Sequence, residues 1–176
     1  GAGGLSIAQN AGIETALIDH QRYPTREAFD QDLAGAIDSA QPDLVVLAGF
    51  MRILTPEFVA RFSERLMNIH PSLLPLYPGL HTHQRALDNG DSHAGATVHY
   101  VTGELDGGPP VLQAKVPVNS GDDADALAAR VLAVEHQIYP VAINWHLCGR
   151  LTWEDGSLKK DGMPVPPSGE LWESTS

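Results

Sequence analysis

The chain has 176 residues, a length that suits one domain with a sizeable core. Its formal net charge is −11, from 22 acidic and 11 basic side chains, which argues against non-specific binding to nucleic acid or to an anionic membrane. Hydrophobic residues make up 43%, the share of an ordinary soluble globule, and no stretch reaches the roughly 18 apolar residues that span a bilayer. The first residues show no charged-then-apolar leader pattern. Cys148 is the single cysteine, so no intrachain disulfide can form and a cytoplasmic setting is expected. Any anionic ligand must be drawn in by local donors, against the overall field.

Residues 5–11 read as a short helix closed by Gly12, and Glu14 to Ile18 as a short strand. Thr25 is a fitting N-cap for a helix to about Ala40, whose apolar positions Ala28, Phe29, Leu33, Ala36, Ile37 and Ala40 follow the 3.6 period. Leu44 to Ala48 is a continuous apolar run, the mark of a strand buried on both faces. A loop from Gly49 to Leu54 leads to a short helix with Pro56 at its first position. Leu66 to His70 is the second buried strand, and the alternation implies a parallel crossover. Residues 71–83, rich in Pro, Gly and His, are expected to form a surface loop, and 82–89 a helix. Strands are expected at 95–102 and 111–118, with a hairpin-like turn at 103–110. The longest helix runs from Asp122 to about His146, with Pro140 expected to kink or end it. A strand at 151–154 closes the domain. Residues 1–154 are expected to be the domain proper, and 155–176 a mobile or loosely docked tail.

Asn68 and His70 share a strand face, because side chains alternate with period two. An amide and an imidazole thus project together where an apolar strand breaks into prolines. Asp106, in the Gly-rich turn Leu105-Asp106-Gly107-Gly108, can bring a carboxylate to the same place. Without an adjacent nucleophilic Ser or Cys, this set suggests direct group transfer rather than covalent catalysis. The Asn68 amide can donate to a carbonyl oxygen as it becomes an oxyanion. An ionised Asp106 would hold His70 protonated, so that it donates too, or accept the proton an attacking amine sheds. A lone histidine at a strand end is more often a satisfied structural residue; the neighbours Asn68 and Asp106 tip that balance toward catalysis. The loop after the first buried strand, Gly49 to Leu54, carries exposed apolar side chains and Arg52. It reads either as a staple onto the next helix or as a slot for a flat apolar ligand. Glu135 flanks the core stripe of the long helix, either as a solvated residue or aimed into the cleft. His81, His83, His93 and His99 invite a metal, but no cysteine partner or His-Glu-x-x-His run accompanies them, and no metal is expected.

Taken together, Asp43-Leu44-Val45-Val46-Leu47-Ala48-Gly49-Phe50-Met51-Arg52-Ile53-Leu54, Asn68-Ile69-His70-Pro71-Ser72-Leu73-Leu74-Pro75, Tyr77-Pro78-Gly79-Leu80-His81-Thr82-His83 and Glu104-Leu105-Asp106-Gly107-Gly108-Pro109 resemble the glycinamide ribonucleotide formyltransferases. The resemblance runs from about Leu5 to Leu151. It implies an α/β fold with a doubly wound, mostly parallel sheet, and transfer of a formyl group from the co-substrate 10-formyltetrahydrofolate to the amine of glycinamide ribonucleotide. It also implies catalysis by Asn68, His70 and Asp106, with Thr97 ordering a water. Arg52, Ile53, Leu54, Asn68, Glu104 and Asp106 would receive the folate; Met51 and Glu135 would receive the ribonucleotide. No nucleic-acid or membrane partner is implied, and a homodimer is left open. Two other readings stand beside it: hydrolysis of the same formyl donor, as in the deformylases, and a folate-binding fragment without turnover. The second arises because the opening strand and phosphate loop of the family have no match here, so the chain is expected to lack those N-terminal elements.

Overall fold

The computed structural model describes residues 3–173. They fall into two compact units, one up to Pro42 and one from Asp43 onward. In the first, helix α1 (Gly3–Asn10) buries no side chain. The strand expected at Glu14–Ile18 does not form: no ladder partner for it exists among the described residues, and a lone extended segment has nothing to bond its backbone. Helix α2 (Arg26–Ser39) starts where expected, with Thr25 Oγ1 accepting from the Ala28 N–H at 3.2 Å. Phe29 is buried, its ring meeting Tyr23 edge-on at 5.6 Å.

The second unit carries the chemistry. Strand β1 (Val45–Leu47), helix α3 (Pro56–Arg61) and strand β2 (Leu66–His70) form the expected crossover, and β1 and β2 pair in parallel. Thr55 caps α3 by accepting from the Phe58 N–H. Helix α4 (Thr82–Asp88) precedes β3 (His93–Tyr100) and β4 (Pro110–Pro117), which pair antiparallel through the expected turn. Because β2 also pairs antiparallel with β3, the sheet of this α/β fold is mixed where a mostly parallel one was expected. A two-strand hairpin between β3 and β4 leaves no crossover segment, and without one adjacent strands must run antiparallel.

Helix α5 (Ala124–Leu147) packs on β3 and β4. It runs through Pro140 instead of ending there. A mid-helix proline costs about 3 kcal/mol. Burying Leu127, Val131 and Ile138 returns roughly 1.5–3 kcal/mol each, and Pro140 itself lies on the exposed side. Packing therefore outweighs the lost bond.

The region expected to be a mobile or loosely docked tail forms strands within its described residues. Strands β5 (Leu151–Glu154), β6 (Ser157–Lys160) and β7 (Met163–Pro164) form a three-stranded antiparallel sheet. Strand β8 (Glu170–Leu171) joins the main sheet beside β4, giving the order β1-β2-β3-β4-β8. The reason is local. Asp155-Gly156 and Asp161-Gly162 all adopt positive φ, the pairing that two-residue hairpin turns demand. Leu158 is then buried, and Trp153, Val165 and Trp172 pack on the core.

Candidate active site

Register builds the site. Asn68 of β2 lies directly opposite His99 of β3, and His70 opposite Thr97, so all four share one sheet face. A register shift falls between Val98 and His99, a device that re-aims a side chain. His99 is 2% exposed. Its Nδ1–H donates to the Tyr100 carbonyl at 3.0 Å, so Nε2 carries the lone pair and accepts from the Asn68 amide at 3.3 Å. This fixes which way the amide faces and leaves its second N–H for a ligand. Sequence reasoning counted His99 only among metal candidates. The cross-strand pairing that reveals its role is not readable from its neighbours in the chain.

Asp106 reaches the same place from the β3–β4 turn. Its Oδ2 accepts the Gly79 N–H at 2.8 Å and faces His70 Nδ1 at 3.5 Å; Oδ1 is 3.9 Å from His99 Nε2. Asp106 has a φ of 51°, a left-handed conformation costing roughly 1–2 kcal/mol outside glycine. The glycines after it have a steric reason. A Cβ on Gly108 would lie 1.8 Å from the Tyr100 carbonyl oxygen, so only glycine lets the turn pass that close and return into β4. His70 Nε2–H donates to the Tyr77 carbonyl at 2.8 Å. With that nitrogen occupied, Nδ1 is the one free to act: it faces Asp106 at 3.5 Å, and only a ring that carries both protons has an Nδ1–H to donate.

An open cleft lies against this cluster, the concave setting in which small-molecule sites form. Phe50, Arg52, Ile53 and Leu54 line it with Glu104, Leu105 and Asp106, together with Asn68 and His99. The expected folate residues are thus brought together. Apolar side chains dominate, with a few charged groups at hand, which suits a flat heteroaromatic ring. Met51 is 75% exposed and, like Glu135, lies outside this lining. Burial raises the Glu135 carboxyl above its ordinary value, opposed only in part by His136. One turn further along α5, the Tyr139 hydroxyl meets the Leu47 carbonyl at 2.6 Å and the Met67 carbonyl at 3.0 Å. It ties that helix to the carboxyl end of β1 and to the start of β2.

Thr97 departs from its expected part in ordering water. It is fully buried, its hydroxyl donates to the Ser72 carbonyl at 2.7 Å, and it accepts from Leu74 N and Gln113 Nε2. One donor and two lone pairs are all a hydroxyl has, so none remains for a water. The loop from Pro71, expected on the surface, is correspondingly tucked in, with Ser72 and Leu74 buried.

Burial pushes His99 below its ordinary value of 6.5, against the smaller opposing pull of the Tyr100 carbonyl and Asp106. The unfolded chain therefore takes up this proton more readily than the folded one. That contribution to stability is intact above pH 6.5 and is lost as pH falls below it. Thermal melts of wild type and His99→Gln between pH 8 and pH 5 check this. The wild-type midpoint should fall more steeply on acidification; parallel curves would remove His99 from the acid response.

This cluster of amide, imidazole and carboxylate beside an apolar cleft has the donors and the proton acceptor that direct group transfer needs. The model of the family described as "Formyl transferase" matches residues 1–143, and the chain belongs to that family. It is 54% identical over 166 residues to the phosphoribosylglycinamide formyltransferase of Escherichia coli (strain K12), covering 94% of this chain and 78% of that protein. The same enzyme of Haemophilus influenzae is 45% identical over the same shares. The solved phosphoribosylglycinamide formyltransferase of Coxiella burnetii superposes with a TM-score of 0.92 at 45% identity, over 98% of this chain and 81% of that one.

Proposed function

We propose that the chain transfers the formyl group of 10-formyltetrahydrofolate to the amine of glycinamide ribonucleotide, a step of purine biosynthesis. The observation that carries this is the convergence of Asn68, His70 and Asp106 beside the cleft. The glycine amine attacks the formyl carbon, a C–N bond forms, and the carbonyl oxygen becomes an oxyanion. The free N–H of Asn68 and, in a His70 ring that carries both protons, its Nδ1–H are the donors available to it. Asp106 accepts the proton the amine sheds, directly or through water, and the bond to the folate nitrogen breaks as that nitrogen is protonated. Phe50, Ile53, Leu54 and Leu105 would hold the pterin, with Arg52 and Glu104 beside it. Met51 through its backbone and Glu135 through its carboxyl would hold the ribonucleotide. Among the described residues no helix is long and apolar enough to cross a membrane, and the exposed thiol of Cys148 suits a reducing cytoplasm.

The test is product formation with both substrates and with the folate alone, beside a folate-binding titration, for this chain and for a chimera carrying the segments of the Escherichia coli relative outside the matched region. Formylated ribonucleotide that appears only with both substrates supports transfer. Formate released from the folate alone would make the protein a hydrolase. Folate binding without product in either protein would leave a binding protein.

A further inference from the structure

We propose that Gln113, buried in β4, is a positioning residue for this reaction, acting through the loop Pro71–Gly79 on His70 and Asp106. The proposal rests on the reading of the site given above. Gln113 is 6% exposed and does not line the cleft. Its Nε2 donates to the Leu74 carbonyl at 3.0 Å and to Thr97 Oγ1 at 2.9 Å, which uses both amide hydrogens. Thr97 Oγ1 in turn donates to the Ser72 carbonyl and accepts the Leu74 N–H. Two side chains of neighbouring strands thus satisfy the inward backbone groups of residues 72 and 74.

A few residues further on, the same loop offers the Tyr77 carbonyl to His70 and the Gly79 N–H to Asp106, each at 2.8 Å. The two acid–base groups therefore take their orientation from one loop, not from each other alone. From the α4 side that loop is held by Thr82 on Pro71 O and by Arg85 on Pro78 O, with Tyr77 Oη on Asp91. The grip from the sheet side is buried. A buried carbonyl stripped of its donor is costly, and the Leu74 carbonyl finds another donor only by lifting the loop toward water. Such a shift carries Tyr77 O and Gly79 N with it, so His70 and Asp106 lose alignment together.

The test is Gln113→Leu, which keeps the bulk and removes the donors. Turnover should fall by about tenfold to a hundredfold, since small misplacements at a reacting centre carry that cost. KM for the folate should stay within about threefold, because the cleft lining is untouched. Exchange with solvent of the Gly79 amide and of the His70 Nε2 proton, followed by NMR, should speed up by about tenfold or more. Neither signal needs turnover, so both report on the loop even in a chain that transfers no formyl group. A lower melting temperature with unchanged turnover and unchanged Gly79 exchange would reduce Gln113 to a packing residue and overturn the proposal. Should that variant fail to fold, Thr97→Val removes the partner hydroxyl and must give the same pair of changes; normal Gly79 exchange there overturns it equally. Should both fail, the wild type decides: Gly79 must be protected as well as Leu74, and exchange of Gly79 at an open-loop rate refutes the link.

Discussion

Asp106→Asn should lower turnover by about 10²–10⁴-fold, the usual worth of a positioned acid–base group, while folate affinity stays nearly intact. The substitution isolates proton transfer. Asparagine matches the carboxylate in shape, its carbonyl oxygen can keep the 2.8 Å bond from Gly79 N–H, and it tolerates the left-handed backbone that Asp106 adopts with φ 51°. What it cannot do is take up the proton of the attacking amine. Alanine would confound the result, because it strains that backbone and frees the loop at once. Steady-state kinetics with a folate-binding titration check the expectation. Wild-type turnover in Asp106→Asn would remove Asp106 from proton transfer.

Asn68→Ala should cost about 2.7–4 kcal/mol of transition-state stabilisation, or 10²–10³ in kcat, the loss typical of one oxyanion donor. Two effects need separating. The Asn68 amide also donates to His99 Nε2 at 3.3 Å, and alanine leaves that buried nitrogen unpaired, a stability cost of about 1–3 kcal/mol. A melt measured beside the kinetics divides them. An oxyanion role predicts that kcat and kcat/KM fall together. A loss seen only as a raised KM would make Asn68 a residue that places substrate.

Where local chemistry decides, the chain could be read directly. Thr25 caps its helix and Pro56 opens the next at its first position, as expected; the apolar run enters the sheet as the strand Val45–Leu47, but Val46 is exposed, so the strand is not buried on both faces. Asn68 and His70 project together because a strand alternates, whatever surrounds it. The Asp-Gly pairs at 155–156 and 161–162 are equally local signals and set hairpin turns, although the prolines of that region point to an irregular tail. Glu14–Ile18 failed for the opposite reason: its pattern suits a strand, but a strand exists only when another segment bonds it. Pro140 lies between these cases, since its local cost is real and is overruled by burial around it.

The residue types of the proposed site and their order along the chain are legible in the sequence alone, because Asn68-x-His70 and the Asp106-Gly107-Gly108 turn are short-range arrangements. The partners of those residues belong to the tertiary structure. Opposing Asn68 to His99 takes the register of β2 against β3. Filling the Thr97 hydroxyl takes a loop from residues 72–74 and a side chain from β4. Bringing Tyr77 and Gly79 onto His70 and Asp106 takes the folding of that loop over the sheet. Apart from the short reach of Tyr77 back to His70, these are contacts between segments far apart in the chain, set by strand pairing and by the need to satisfy buried backbone groups, and none leaves a mark on the residues' own neighbours.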